Sequence, residues 1–112
     1  MPTIIGDFES AEIVLVSWGG NKGAIIEAMK ELGQENIHVA YIHFTYVYPL
    51  DESRVKPLFM YDKTYALIEN NSEAQFGKLL RQEIGIQIKN HLLKYDGRPI
   101  FYEEIIDYVK RI

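Results

Sequence analysis

The sequence predicts an α/β domain built on a largely parallel sheet, and three observations carry that expectation. Short β-branched apolar runs alternate with segments whose apolar residues recur at helical spacing. The clearest run, Ile13-Val14-Leu15-Val16, is apolar without alternation, as a strand covered on both faces must be. Glycines or turn residues separate most strand-like runs from the helical stretches that follow. At 112 residues the chain fits one domain and can bury roughly two thirds of its unfolded surface. Right-handed crossovers would place helices on both faces of the sheet.

The elements follow in order. After the strand at Ile13, the turn Gly19-Gly20-Asn21 leads into a helix whose stripe is Ile25, Ala28, Met29 and Leu32, with Gly33 as its expected stop. Val39 to Phe44 reads as a second strand, rich in β-branched and aromatic residues. Asp51 or Ser53 can cap a helix carrying Val55, Leu58 and Phe59. Pro57 removes a backbone donor there, so that helix is expected to be short, kinked or late. Thr64 to Glu69 is the third strand. Ser72-Glu73-Ala74-Gln75 has the pattern of a capping box before the stripe Phe76, Leu79, Leu80 and Ile84, and Gly85 ends that run. A short extended piece at His91-Leu92-Leu93 precedes the turn Asp96-Gly97. A last helix from Tyr102 carries Ile105, Ile106, Val109 and Ile112 on one face. Residues 1–11 read as a lead-in segment and 12–112 as the single domain.

Composition narrows the function classes. Hydrophobic residues make up 47% and charged residues 25%, as in an ordinary folded domain. The formal charge is −4 with the signs interspersed, which argues against nucleic acid because no basic stripe is present. Cysteine is absent, so a reducing, cytoplasmic setting is expected, and thiolate-held clusters or cysteine nucleophiles are excluded from this chain. No charged signal region and no long apolar run point to secretion or a membrane.

Three segments are candidates for a site. Gly19, Gly20, Asn21, Lys22 and Gly23 form a glycine-rich turn before a helix, which can offer amides and a cation to an anion. The spacing matches neither a dinucleotide fingerprint nor a P-loop, and a tight turn is the alternative. Glu69, Asn70 and Asn71 stand at the carboxyl end of a central strand, where open α/β sheets collect ligands. Turn chemistry accounts for the same residues. Lys94, Tyr95, Asp96 and Arg98 decorate a short loop, and Tyr and Arg are enriched at interface centres. His38, His43 and His91 lack metal-ligand spacing. His43 shares a strand face with Val39 and Tyr41, so no metal is expected. Ser17 has no base placed near it by the sequence. No catalytic residue is assigned.

Taken in order, Val16 to Gly23, Tyr48-Pro49-Leu50, Ile68 to Asn71 and Lys94-Tyr95-Asp96-Gly97-Arg98-Pro99 resemble the C-terminal domain of the alpha subunit of 2-oxoacid:ferredoxin oxidoreductases, 2-oxoglutarate type. The resemblance runs from about Ala11 to the end. It implies a transketolase C-terminal-like fold of three layers, α/β/α, with a mixed, mostly parallel five-stranded sheet and one antiparallel edge strand. The residues alone show four strands. Phe101-Tyr102 departs from the Thr-Pro pair that commonly opens the last helix of the family, and loses a polar cap.

The resemblance also implies an oxidoreductase complex that decarboxylates a 2-oxoacid to an acyl-CoA while reducing ferredoxin. Thiamine diphosphate, iron–sulfur clusters and coenzyme A would belong to other domains or subunits. This chain is then expected to act as an assembly domain, inactive alone, whose partners are the other subunits and, indirectly, ferredoxin. The Lys94–Arg98 loop, the glycine turn, Tyr46 and Tyr48 would form its working surface, and a bared surface can also promote self-association. An autonomous module binding a nucleotide or coenzyme A phosphate is the alternative.

Overall fold

The computed structural model describes residues 2–44, 52–69, 75–94 and 99–112. Its strands are β1 (Pro2–Ile5), β2 (Ile13–Trp18), β3 (Val39–Phe44), β4 (Thr64–Glu69) and β5 (Asn90–Leu93). The helices are α1 (Lys22–Gln34), α2 (Glu52–Val55), α3 (Gln75–Ile84) and α4 (Tyr102–Arg111), with 3-10 turns at Gly19–Asn21 and Lys56–Phe59.

The strands form one five-stranded sheet in the order β1-β3-β2-β4-β5. β2 pairs parallel with β3 and β4, and β4 pairs parallel with β5. β1 runs antiparallel to β3, with Pro2 opposite Phe44 and Ile5 opposite Tyr41. The stretch read as a lead-in segment therefore carries the fifth strand. Its weak pattern has a physical reason: an edge strand contacts one neighbour and needs no continuous apolar run, and Pro2 sits at the strand's first residue, where its missing N–H does least harm.

Side chains alternate across the sheet and build two cores. On one face Val14, Val16, Ala40, Ile42, Phe44 and Leu67 pack with Val55 and with Phe76, Leu80 and Ile84 of α3. On the other, Leu15, Tyr41, Ala66 and Ile68 pack with Ile25, Ala28 and Leu32 of α1 and with Ile105 and Val109 of α4. All six residues of β3 are buried. This is the expected three-layer α/β/α arrangement. Each fully buried Leu, Ile or Val in it contributes about 1.5–3 kcal/mol of transfer free energy.

The helix ends show which local signals hold. Gly85 adopts φ +71° and its N–H reaches the Arg81 carbonyl at 3.1 Å, so it stops α3 as expected. Gly33 does not stop α1. The helix runs on to Gln34, and Asn36 takes the left-handed conformation at φ +63°. The Ile37 N–H then bonds the Leu32 carbonyl at 2.9 Å and the Asn36 N–H bonds the Gly33 carbonyl at 3.1 Å, the paired bonds of a Schellman ending. Asn tolerates that conformation, and placing the stop three residues later lets Ile37 pack on the α1 core. Pro57 shortens its helix as expected: α2 is a single turn, and the chain tightens into the 3-10 turn that holds the proline near its start.

α4 begins at Tyr102 as expected, although Phe101 offers no polar cap. The Glu104 carboxylate accepts the Phe101 N–H at 3.2 Å and supplies the cap from inside the helix.

Candidate functional site

The strand order creates a switch point. From β2 the chain crosses to β3 on one side, and β4 lies on the other, so the switch point falls between the carboxyl ends of β2 and β4. Ser17, Asn21, His43 and Glu69 are the buried polar residues of the described chain, and all four lie at this end of the sheet.

On the α1 face they form a chain of hydrogen bonds. Asn21 Nδ2 donates to Ser17 Oγ at 3.2 Å, and Ser17 Oγ donates to the Ile68 carbonyl at 2.6 Å. Ser17 is thereby a bridge between β2 and β4, its proton committed to backbone. Beside it, the Tyr41 hydroxyl lies 2.6 Å from His43 Nδ1. Burial pushes the Tyr41 phenol well above its ordinary range, an effect only partly offset by Ser17, so the phenol keeps its proton. The phenol donates to Nδ1 in the Nε2–H tautomer of the neutral ring and accepts from it in the Nδ1–H tautomer. Burial, and then the charge of Lys22, push the His43 pKa down, which favours the neutral ring.

The glycine turn adopts a 3-10 conformation that flows into α1. Gly19 requires glycine, because its φ is +72°. A Cβ at Gly19, Gly20 or Gly23 would meet nothing within 4 Å, so the turn is open toward its outer side and its glycines do not serve close packing. Lys22 and Gly23 are exposed, whereas Asn21 turns its amide inward to Ser17.

On the α3 face of the sheet, Glu69 is 3% exposed. Its Oε1 accepts the Phe76 N–H at 2.7 Å, and Trp18 Nε1 approaches the same oxygen at 3.5 Å. Glu69 therefore caps α3 with a carboxylate, where the helix dipole favours negative charge. Its Oε2 is enclosed and has no hydrogen-bond partner among the described residues. Nearby, the Phe76 ring meets those of Trp18 and Phe44 in tilted contacts, with centroids 6.3 Å apart for Trp18–Phe76 and 4.8 Å for Phe44–Phe76. Asn70 and Asn71 lie outside the described residues.

Lys94 leaves β5 with its N–H on the Glu69 carbonyl at 3.0 Å. Its ammonium contacts both carboxylate oxygens of Glu104 at 2.9 Å and lies 5.9 Å from the centre of the Phe101 ring. The residue read as an interface cation thus clasps the end of β5 to the start of α4. Tyr95, Asp96, Arg98, Tyr46 and Tyr48 lie outside the described residues, as does the Ser72 capping position. No cluster of three or more His, Asp or Glu positioned for a metal occurs among the described residues. A surface groove of about 650 Å³ lined by Glu52, Ser53, Lys56, Pro57, Met60 and Tyr61 shares none of these residues.

Sequence reasoning reached the glycine turn and Glu69 but missed the Tyr41–His43 pair as a unit. The period-two rule that put both on one face was the available signal. Nothing local could have paired Ser17 with Ile68 or Trp18 with Glu69, which are 51 residues apart in each case.

No family model matches the chain. Over 104 residues it is 33% identical to 2-oxoacid:ferredoxin oxidoreductase 1, subunit alpha, of Aeropyrum pernix, covering 90% of this chain and 16% of that protein. The chain thus spans about a sixth of the length of the curated relatives it matches. Among solved structures, the alpha chain of a probable 2-oxoacid ferredoxin oxidoreductase from Thermoplasma acidophilum is 30% identical, with a TM-score of 0.67 over 98% of this chain and 94% of that one. Two others share the fold at lower identity. The 2-oxoglutarate:ferredoxin oxidoreductase of Magnetococcus marinus has a TM-score of 0.88 at 22% identity, over 99% of this chain and 19% of that one. A split-gene transketolase has a TM-score of 0.71 at 14%, over 99% of this chain and 40% of that one. The fold is that of the transketolase C-terminal domain, and, with near-complete mutual coverage of the Thermoplasma chain at 30% identity, this protein belongs to the alpha-chain family of 2-oxoacid:ferredoxin oxidoreductases.

Proposed function

We propose that this chain is an assembly domain of a 2-oxoacid:ferredoxin oxidoreductase of the 2-oxoglutarate type, and that it has no catalytic activity alone. The observation that carries the reading is the match of 90–97% of this chain to about a sixth of larger alpha subunits. Three polar groups at the switch point support it. Ser17, Asn21 and Glu69 each hold the fold together: one bridges two strands, one braces the turn, and one caps a helix. The 2-oxoglutarate preference rests on the ordered segments from Val16 to Pro99.

The complete complex would oxidatively decarboxylate its 2-oxoacid to an acyl-CoA with reduction of ferredoxin, in a cytoplasmic setting. The donor set of this chain does not fit an iron–sulfur cluster, because it contains no cysteine. Thiamine diphosphate, the clusters and coenzyme A are accordingly assigned to other domains or subunits, and no step is routed through them here. The partners are those subunits, met through the loop of Lys94, Tyr95, Asp96 and Arg98 and through Tyr46 and Tyr48.

Capture of the tagged chain from its own cells, followed by a decarboxylation assay on the captured complex, tests this. The expected result is co-purification of thiamine-dependent and iron–sulfur subunits, 2-oxoglutarate-dependent ferredoxin reduction by the complex, and none by the chain alone. Turnover by the purified chain, or its isolation free of those subunits under conditions that preserve the complex, would overturn the assignment. Preference for another 2-oxoacid would overturn only the 2-oxoglutarate type.

A further inference from the structure

We infer that the cleft between α3 and β5 is a binding site for a phosphoryl group, formed by Lys78 and Arg81 of the helix and His91 of the strand. The inference stands apart from the assembly reading and does not depend on it.

The first observation is a placement that only the fold makes. Lys78 and Arg81 stand three residues apart on α3, so they are neighbours on its surface. His91 comes from β5, an edge strand of the sheet. Its neighbour Leu92 packs in the core on the α1 side, so the alternation of a strand puts His91 on the α3 side. A cleft of about 210 Å³ opens there, lined by Lys78, Arg81 and His91 with Gly77, Gln87 and Ile88. Lys78, Arg81 and His91 are exposed, and Ile88 is buried.

The second observation is electrostatic and independent of the cleft. Lys56, Lys94 and Lys110 each meet a carboxylate, and Lys63 meets two backbone carbonyls. Lys78, Arg81 and His91 have no ion pair and no hydrogen bond among the described residues. Glu83, on the same helix, is two residues from Arg81 and so about 200° around the helix from it. It does not line the cleft. Residues 76–93 thus hold Lys78, Arg81 and Lys89 against one carboxylate, in a chain whose formal charge is −4. The dipole of α3 favours Arg81 in the last turn, but it explains neither Lys78 further up the helix nor His91 on the strand. Cations gathered without a carboxylate repel one another, and an anion between them relieves that repulsion.

The donor set names the ligand class. Guanidinium, ammonium and imidazole N–H are all donors, and the guanidinium presents a planar fork. A phosphoryl dianion matches two fixed cations in charge and still has an oxygen for the imidazole, whereas a monocarboxylate matches one cation. The cleft is smaller than the roughly 300–1,000 Å³ of pockets that enclose a drug-sized ligand. It therefore takes an anionic head and leaves the rest of any carrier in solvent. A nucleic-acid strand would need a basic track continuing past the cleft, and the sequence has no such stripe.

The test is a titration of the isotopically labelled 112-residue chain with inorganic phosphate at constant ionic strength, followed by amide and imidazole NMR. Saturable shifts confined to the amides of residues 77–81 and 87–91 and to the His91 ring are expected. Arg81→Ala, an exposed substitution whose fold is checked by the remaining amide pattern, should weaken binding by about tenfold or more, as loss of one charge-assisted hydrogen bond implies. Lys30→Ala removes the same charge from an exposed position on α1 and should leave the affinity unchanged. Glycerol 3-phosphate distinguishes the sources: tighter binding than phosphate identifies a phosphate ester, and equal or weaker binding identifies the free ion. An equal response to acetate or succinate, shifts that do not saturate, unchanged affinity in Arg81→Ala, or the same loss in Lys30→Ala would overturn the site.

Discussion

Glu69, the last residue of β4, accepts a hydrogen bond from the backbone N–H of Phe76 at 2.7 Å, so a strand end caps the helix that follows it. The bond spans the segment between the two elements and fixes where α3 starts relative to the sheet. Glu69→Ala should cost about 1–3 kcal/mol, since it strips a buried amide of its acceptor. Glu69→Gln keeps an acceptor oxygen and should cost less. Urea unfolding measures both, and faster hydrogen exchange at the Phe76 amide in the alanine variant would locate the effect.

Tyr41 and His43 bound the pH range of stability from opposite sides. The His43 pKa is lowered in the folded state, so in acid the unfolded chain binds more protons. Its contribution is complete above the unfolded value of about 6.5 and is lost as pH falls through the folded value. The Tyr41 pKa is raised, so its contribution is complete below the unfolded value of about 10 and is lost as pH climbs past it. Denaturation midpoints measured from acid to alkaline pH should show a plateau between these limits. Tyr41→Phe removes the hydroxyl that partners Nδ1 and should cost about 1–3 kcal/mol at neutral pH. A shift of the His43 ring nitrogens toward mixed tautomers would accompany it.

Two ion pairs of nearly equal length should differ in worth. Lys94–Glu104 is partly buried, with side-chain exposures of 20% and 34%, and its ammonium touches both carboxylate oxygens at 2.9 Å. Lys110–Glu35 spans 2.8 Å but is 42% and 52% exposed. Lys94→Ala should therefore cost about 1 kcal/mol and fray the start of α4, while Lys110→Ala should change stability by less than about 0.5 kcal/mol. Thermal unfolding at low and high salt, with exchange rates along α4, separates the two.

Asn36 holds the left-handed position that ends α1. Asn36→Gly should be neutral or slightly stabilising. Asn36→Ala should cost about 1 kcal/mol or more, because a Cβ without a local polar group is disfavoured there. Calorimetry of the two variants gives the comparison directly, and equal midpoints would show that the Schellman bonds do not depend on this residue.

Much of this architecture is local in origin. The unbroken apolar run at Ile13–Val16, the stripe Phe76, Leu79, Leu80 and Ile84, and the stop at Gly85 follow from side-chain period and backbone sterics, which a short window of residues contains. The same windows located the glycine turn and Glu69. Other features were invisible there because their partners are distant. β1 is a strand only because β3 offers an edge, and the α1 stop moved to Asn36 because packing of Ile37 outweighed the preference of Gly33. Ser17 became a strand bridge, Glu69 a helix cap and Lys94 a clasp through bonds to Ile68, Phe76 and Glu104. A buried polar group must find a partner wherever the fold brings one. The residue types declare that need, and only the packed chain chooses the partner.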